Sequence, residues 1–543
     1  MWVHQIIQAG LFLVLLPVGS HFAVSAELMV KKDLDLQPFI DSESTIALNG
    51  VLANIGPSGV RVPGAESGIV VASPSRANPD YWYSWTRDAA LTYKYLIDRF
   101  DDNSANVSLQ PGIHDYISTQ VRLQTVKNPS GGVGEPKFNV NMTAFKGSWP
   151  RPQRDGPALR ATALATYAQW LIDNGYSDVA LSHVWPIMSN DLSYVAQYWN
   201  QTGYDLWEEV EGSSFFTIAV SYRALVEGAA LAGQLNQTCT DCSYVASQVL
   251  CFQQFFWKGG YIDSNINLEQ NYNRTGKDAN SILASIHVFD PDRHAVVDSF
   301  RDLYSINNGI GTGAAIAIGR YREDIYYNGN PWYLCTLAAA EQLYDALYRW
   351  DSQGYLDVTS ISLEFFRDFN SSISVGSFGS SSATYFSLTK AIRNYADGFT
   401  TIVQKYTPSD GSLAEQFSKD NGIATSAIHL TWSYVSFLTA TSRRSGKVPS
   451  SWGSSNARIV PSVCSATSVK GTYAVAPVTP WPTGLASKNS SSDNSTQIST
   501  GAGAGKTSSA SIARMVAFGG DSRTILFSFC VLILTGSLEA MLE

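Results

Sequence analysis

NPWYLCTLAAAEQLYDALYRWDSQG, residues 330–354, carries the pattern that decides the fold class. Asn330 is a predicted helix N-cap, Pro331 fits the first helical position, and Gly354 fits a left-handed stop. Between these signals apolar residues recur at helical spacing, too densely for one buried face. The segment therefore predicts a helix that is packed on two sides.

The same pattern recurs along the chain from about residue 33 to residue 464. Residues 157–174 open with Pro157 and stop at Gly175, and residues 215–236 look alike. Helices this apolar need partners on two sides, which favours an all-α fold of two concentric layers whose loops carry the functional site. Further helices are predicted at 86–99, 183–200, 242–257, 361–369, 381–406 and 426–442, and strands only at 68–72 and 138–140.

Composition narrows the classes of partner. The chain has 543 residues, a net charge of −9 and only 15% charged residues, without basic runs, which argues against nucleic acid or an anionic membrane. Aromatic residues make up 12%, with 14 Trp and 27 Tyr. Most must be core, but some are expected to stack on flat, uncharged rings such as sugars.

Both ends of the chain have the character of processing and attachment segments. Residues 1–26 resemble a signal peptide, and 27–32 a short pro-segment ending in a dibasic pair. Residues 466–512 are Ser/Thr-rich and predict a glycosylated stalk, and 513–543 carry an apolar tail that approximates a lipid-anchor signal, a spanning helix being the alternative. Secretion is further indicated by N-glycosylation sequons at Asn106, Asn141, Asn200, Asn236, Asn273, Asn370, Asn489 and Asn494.

In an oxidising compartment some of the six cysteines should pair, although spacing alone does not fix which. Cys239 and Cys242 form a C-x-x-C, for which a local disulfide is favoured over a metal or redox site because no second Cys/His pair lies at zinc spacing. Cys530 lies in the apolar tail.

Three stretches combine carboxylates with aromatic or glycine-rich neighbours: 78–88 (NPDYWYSWTRD), 203–210 (GYDLWEEV) and 410–416 (DGSLAEQ). Glycoside hydrolysis needs a protonated carboxyl at the leaving oxygen and an ionised carboxylate on the opposite face of the sugar. An apolar Trp wall beside a carboxyl raises its pKa. Taken alone, an aromatic residue beside a carboxylate is more often an interface ring next to a solvated charge than part of a catalytic site.

These stretches resemble the fungal glucoamylases of glycoside hydrolase family 15, and the resemblance covers roughly residues 40–464. It also includes GSWPRPQRDGPALRATA (147–163), YDLWEEVEGSSFFTIAV (204–220), RYREDIYYNGNPWYLCTLAAAEQLYDALY (320–348) and LTWSY (430–434). The resemblance implies an (α/α)6 barrel and a monomeric, inverting exo-hydrolase that releases β-glucose from α-1,4-glucans and maltooligosaccharides, and more slowly from α-1,6 linkages. No metal or nucleotide is expected.

Carried over residue by residue, the resemblance makes Glu208 the general acid and Glu415 the general base. Asp205 is a rival base, but in a helical segment it would lie one turn from Glu208, too close for a water on the other face, so we expect it to position Glu208. The inverting reaction predicts a carboxyl separation of roughly 6.5–9.5 Å.

The resemblance also implies the binding residues and the disulfides. Arg87 and Asp88 would hold the terminal glucose, and Glu209 and Arg320 the next sugar. Trp207 is expected to pack around the acid. The predicted pocket walls are Tyr81, Trp85, Trp149, Trp332 and Trp432, and the implied disulfides are Cys239–Cys242 and Cys251–Cys464, with Cys335 free and buried.

Departures from the family concern the pocket mouth. A cysteine-bearing loop is shortened to DPDRHAV (290–296), Pro150 follows Trp149, Arg322 stands near Arg320, and Asn141-Met142 replace an acidic pair. No starch-binding module follows the stalk, so soluble dextrins are expected rather than granular starch. Two other functions stay open: a related exo-glucosidase of different linkage preference, and an inactive, wall-anchored glycan-binding protein.

Overall fold

The computed structural model describes residues 19–102, 104–239, 241–288, 297–448 and 460–486. In it helices dominate and the strands are short. The helices are α1 Gly19–Ala53, α2 Thr86–Asp102, α3 Gln110–Leu123, α4 Asp155–Asp173, α5 Ser177–Val179, α6 Trp185–Tyr198, α7 Phe215–Gln234, α8 Cys242–Gln253, α9 Asn280–Val288, α10 Tyr333–Gln353, α11 Leu363–Arg367, α12 Ala383–Tyr406 and α13 Thr431–Arg444.

The strands form four small antiparallel sheets that lie in the connections between helices. Strand β1 pairs with β2, β3 and β5 flank β4, β6 pairs with β7, and β8 pairs with β9. Their bounds are β1 Tyr83–Trp85, β2 Lys137–Asn139, β3 Gly203–Tyr204, β4 Glu211–Ser214, β5 Asn265–Ile266, β6 Tyr355–Val358, β7 Gly376–Gly379, β8 Gln416–Phe417 and β9 Ala424–Thr425.

Six helices close into a ring. In chain order α2, α4, α7, α9, α10 and α13 each pack against the next, and α13 packs back on α2. A second layer surrounds them: α3 lies against α2, α6 against α4, α8 against α7, α12 against α10, and α1 against α13. This is the predicted all-α architecture of two concentric layers, with five outer helices among the described residues.

The inner helices are apolar because they contact neighbours on nearly all sides. Helix α7 is apolar and long enough to cross a bilayer, but it is mostly buried within the ring. Outer helix α12 buries only one stripe. A bidentate ion pair joins the layers, from Arg160 of α4 to Asp191 of α6, with the shorter N–O distance at 2.6 Å.

The predicted helices are present, with shifted ends. Helix α10 stops at Gly354 as predicted, with φ of +81°. Its predicted N-cap is wrong: the helix begins at Tyr333, and the Asn330 side-chain oxygen accepts the N–H of Lys419 at 3.1 Å instead of a helix N–H. The predicted strand at 68–72 is reduced to one isolated bridge, whereas 138–140 coincides with β2. Helices α1, α3 and α9 were not predicted.

The chain after α13 packs on the barrel for longer than the sequence indicates. Residues 460–486, which we call the strap, include a segment that was predicted to be stalk. Ala474 exchanges two hydrogen bonds with Asn190 of α6, at 2.8 and 2.9 Å. The Trp481 ring stacks on His114 of α3 at 3.9 Å between centroids, and its indole N–H donates to Ser118. These contacts move the edge of the domain from residue 465 to at least residue 486.

Two disulfides are present, Cys239–Cys242 and Cys251–Cys464, and Cys335 is buried and free, as the resemblance implies. The second disulfide ties the strap to α8. Residues 1–18, the stalk beyond 486, the apolar tail and the shortened loop at 290–296 lie outside the described residues.

N-glycosylation stays a prediction. Of the sequon asparagines whose side chains the structure describes, Asn141, Asn200, Asn236 and Asn273 are exposed and Asn370 is half-buried. The side chain of Asn106 and residues 489 and 494 lie outside the described part.

The contact between the strap and α3 should make stability depend on pH. Burial, and then the nearby His183, lower the pKa of His114 from 6.5 to about 4. Between these values only the unfolded chain binds the proton, so the free energy of unfolding should fall as pH falls from about 6.5 to about 4. We expect a loss of about 1 kcal/mol after allowance for solvent screening, measured by urea unfolding. His114→Phe keeps a ring against Trp481 and should flatten this dependence; an unchanged slope would contradict the assignment.

Candidate active site

The first predicted glutamate is presented by a tight turn between β3 and β4. Asp205, fully buried, accepts the backbone N–H groups of Glu209 and Val210 on its Oδ1 at 3.0 and 3.2 Å. The Glu208 N–H donates to the Asp205 carbonyl at 2.9 Å. Glu208 adopts φ of +65°, a left-handed conformation that costs a non-glycine residue about 1 kcal/mol or more. The turn therefore holds Glu208 in an orientation that it would not adopt by itself.

The Glu208 carboxyl is held by one oxygen. Its Oε1 accepts the indole N–H of Trp85 at 2.7 Å and the Gln153 amide at 2.8 Å, and Arg87 lies 3.7 Å away. Among the described residues Oε2 has no hydrogen-bond partner. The side chain is 16% exposed, so one oxygen is fixed while the group stays accessible.

The second predicted glutamate lies directly before β8. The Glu415 N–H donates to the Ala427 carbonyl at 2.8 Å, and the residue is 1% exposed. Its Oε2 accepts the Gln416 amide at 2.9 Å and the Ser426 hydroxyl. Burial raises the pKa of Glu415, while hydrogen bonds from Ser426 and Tyr81 and the charge of Arg320 act against that rise.

One pair of aromatic rings connects the two carboxyls. The Tyr81 hydroxyl is hydrogen-bonded to that of Tyr326 at 3.0 Å and lowers the pKa of Glu415. The Tyr81 ring lies 5.4 Å from that of Trp85, whose N–H is bonded to Glu208. Residues separated by 207 positions are therefore brought to the two ends of one ring pair.

The predicted pair Arg87-Asp88 lies in the first turn of α2, which begins at Thr86 directly after β1. Arg87 donates to Gln153 and to Asp155 at 2.9 Å each, and its guanidinium lies over the Trp432 ring at 5.8 Å. Burial raises the pKa of Asp88 to about 7; Arg87 opposes this rise and the nearby carboxylates add to it. The site therefore contains a buried cation whose charge is shared among several acidic neighbours.

A second cation cluster lies on the other side of the turn. Arg320 contacts Glu209 Oε1 at 2.9 Å and forms two hydrogen bonds with Asp324. Arg274 contacts Glu209 Oε2 at 2.6 Å, and the Tyr321 hydroxyl bonds to the same oxygen. Burial would raise the pKa of Glu209, but Arg320, Tyr321 and Arg274 hold it below its ordinary value.

The predicted aromatic residues surround these groups. The Trp207 indole donates to Asp278 at 2.8 Å and its ring lies 5.6 Å from that of Trp332, so Trp207 packs behind the turn. Trp149 lies 5.9 Å from Trp85 and is half-buried.

Sequence reasoning missed several contributors. Gln153 lies within the motif 147–163, and its position between a stacking Trp and α4 could have drawn attention to it. Ser426, Arg274 and Lys137 had no signal, because only folding brings them to the site. Of the departures from the family, Arg322 forms an exposed ion pair with Asp302, away from the carboxyls.

Comparisons with known proteins identify the family of the chain. The family model for Glycosyl hydrolases family 15 matches residues 45–442. A glucoamylase of Neurospora crassa is 54% identical over 482 residues, covering 84% of this chain and 76% of that protein. Glucoamylase P of Amorphotheca resinae is 52% identical over 469 residues, covering 81% and 75%. The solved glycoside hydrolase family 15 glucoamylase from Hypocrea jecorina superposes with a TM-score of 0.81 at 53% identity, covering 83% and 80%.

Fold and site together define a glycoside hydrolase built on an (α/α)6 barrel. The chain belongs to glycosyl hydrolases family 15, which confirms the family, the fold class and the enzyme class predicted from the sequence.

The turn provides a direct test of Asp205 against Glu415. Asp205→Asn keeps an oxygen for the Glu209 and Val210 N–H groups but removes the carboxylate. If Asp205 only supports the turn, this variant should keep at least about a tenth of the wild-type kcat, whereas Asp205→Ala should lose more. Glu415→Gln should lose roughly 10²–10⁴-fold, as expected for a general base. Equal losses in Asp205→Asn and Glu415→Gln would assign the base role to Asp205.

Proposed function

We propose that the chain is an inverting exo-glucosidase that removes β-glucose from the non-reducing ends of α-1,4-glucans and maltooligosaccharides. Its activity at the level of the family is the exo-hydrolysis of α-glucans with release of glucose. The observation that carries the finer proposal is the pair of glutamates, joined through Tyr81 and Trp85, with different surroundings.

Glu208 is the proposed general acid. Its Oε1 is occupied by two donors, so the proton can reside on Oε2 and pass to the glycosidic oxygen as the C–O bond breaks. Glu415 is the proposed base, which takes a proton from the water that attacks the anomeric carbon from the opposite face. Attack and departure on opposite faces invert the configuration, so an α-linked substrate yields β-glucose.

Exo-action is assigned to the Arg87-Asp88 pair. Buried charged groups at the end of a pocket bind the hydroxyls of a single terminal sugar and leave no path for a further residue. Glu209 and Arg320 are proposed to contact the next sugar, and Trp149 to stack on it.

The partner is an α-glucan, and we propose a secreted monomer. Two disulfides favour an oxidising compartment. The proposal also includes secretion by the predicted signal peptide and attachment at the cell surface through the predicted stalk and lipid-anchor signal.

The acid is tested by Glu208→Gln, which keeps the shape of the side chain but has no proton of carboxyl acidity. Glucose release from maltose should fall roughly 10²–10⁴-fold in kcat with a small change in KM. Glu364→Gln, the same substitution at an exposed position on α11, is the control and should match wild type. Activity retained in Glu208→Gln would remove the role assigned to Glu208. No glucose release by the wild-type protein would instead favour the alternative of an inactive glycan-binding protein.

The stereochemical outcome is tested on the wild-type enzyme. Proton NMR of the first product from maltoheptaose should show fresh β-glucose, followed by mutarotation. Fresh α-glucose as the first product would contradict inversion. Shorter maltooligosaccharides without glucose as the first products would contradict exo-attack. Comparing rates on maltose, isomaltose and trehalose then fixes the linkage preference.

The base is tested through the pH profile of kcat/KM, whose acid limb reports protonation of the free enzyme's base. The Ser426 hydroxyl lowers the pKa of Glu415, so Ser426→Ala should raise that pKa and move the acid limb to higher pH. Ser412→Ala, a nearby serine without contact to Glu415 in the described structure, is the control. An acid limb that stays in place in Ser426→Ala would indicate that another group is the base.

A further inference from the structure

Lys137 occupies an unusual position beside the site. It lies on β2 directly opposite Trp85 and is 2% exposed. Its ammonium lies 3.4 Å from the Trp149 ring centroid, 4.0 Å from Tyr83, 4.4 Å from Phe145 and 4.5 Å from Trp85. Among the described residues the Lys137 ammonium has no hydrogen-bond partner and no ion-pair partner. The groups in direct contact with this desolvated cation are therefore aromatic rings.

The charge on Lys137 does not stabilise the folded state. Burial lowers the pKa of Lys137 to about 8, although Glu208 and Asp80 face it and favour its charged form, while Arg151 disfavours that form. The unfolded chain holds this proton more tightly than the folded protein does. A neutral side chain of the same length would therefore cost the fold less, so the ammonium needs an explanation other than stability.

The four rings indicate that explanation. Trp85 donates to Glu208, and Trp149 is the ring proposed to stack on substrate. The rings come from two different segments, β1 and the loop after β2. The centroids of neighbouring rings are 5.1–6.1 Å apart, with edge-to-face geometry. A cation attracts the face of each ring, so one ammonium can fix the orientation of both segments at once.

We propose that Lys137 is a positioning residue whose ammonium orients Trp149 and Trp85 for substrate binding and catalysis. This rests on the function proposed above for those two rings. The residue acts through its positive charge rather than through its bulk, and it does not itself touch the reacting atoms. At neutral and acidic pH the ammonium is charged and the rings are held; when it loses its proton, the rings are released.

The test separates charge from packing. Lys137→Met keeps an unbranched apolar side chain and removes the charge. It should be as stable as wild type or more stable in thermal unfolding, yet its kcat/KM on maltoheptaose should fall about tenfold. Lys137→Arg retains the charge and should recover most of the loss. Lys146→Met, at an exposed position in the same loop, should match wild type in both measurements.

A second readout does not depend on activity. Tryptophan fluorescence excited at 295 nm should change with a midpoint near pH 8 in wild type, and this transition should be absent from Lys137→Met and Lys137→Arg. Wild-type kcat/KM in a folded Lys137→Met variant, or a transition that persists in it, would overturn the proposal. If the wild-type protein releases no glucose, the proposed function fails, while the fluorescence transition still decides whether Lys137 controls the rings.

Discussion

The cost of burying charge is the constraint that shapes this molecule. The site contains Arg87, Arg320, Asp205 and Glu415, all nearly inaccessible to water. An isolated charge in such a place would cost several kcal/mol, so each must be paired or hydrogen-bonded. Arg87 is matched by Asp155 and Arg320 by Asp324, whereas Asp205 is satisfied by backbone N–H groups. The loops can follow irregular paths because these contacts fix them from within.

The charged and polar partners of each carboxyl also make neighbouring glutamates differ in their tendency to stay ionised. Glu209, directly next to Glu208 in sequence, faces two guanidinium groups and is held ionised. Glu208 accepts hydrogen bonds from two neutral donors at one oxygen, with Arg87 farther away at 3.7 Å, and Glu415 is the most buried of the three. Three glutamates thus acquire different properties because the fold places each of them against different neighbouring groups.

The sequence predicted the layers of the fold better than the ends of its elements. Dense apolar periodicity identifies helices such as α4 and α10, and Gly354 identifies where one stops, because both signals are local. The start of α10 was misplaced since the Asn330 side-chain oxygen accepts the N–H of Lys419, 89 residues away. Helix α3 escaped prediction because Gly112 lies in its first turn and weakens the helical signal, and α9 because it has only nine residues. The two glutamates came from family resemblance, whereas Ser426 and Lys137 depend on contacts between distant segments.

The strap fixes where the described chain leaves the barrel. Its last described contacts are between Ala486 and the Tyr176 hydroxyl, next to α5. Any fusion partner attached downstream would therefore depart from this outer corner. A recombinant version cut near residue 465 would expose the apolar surfaces that Ala476, Trp481 and Leu485 now cover, and would favour aggregation.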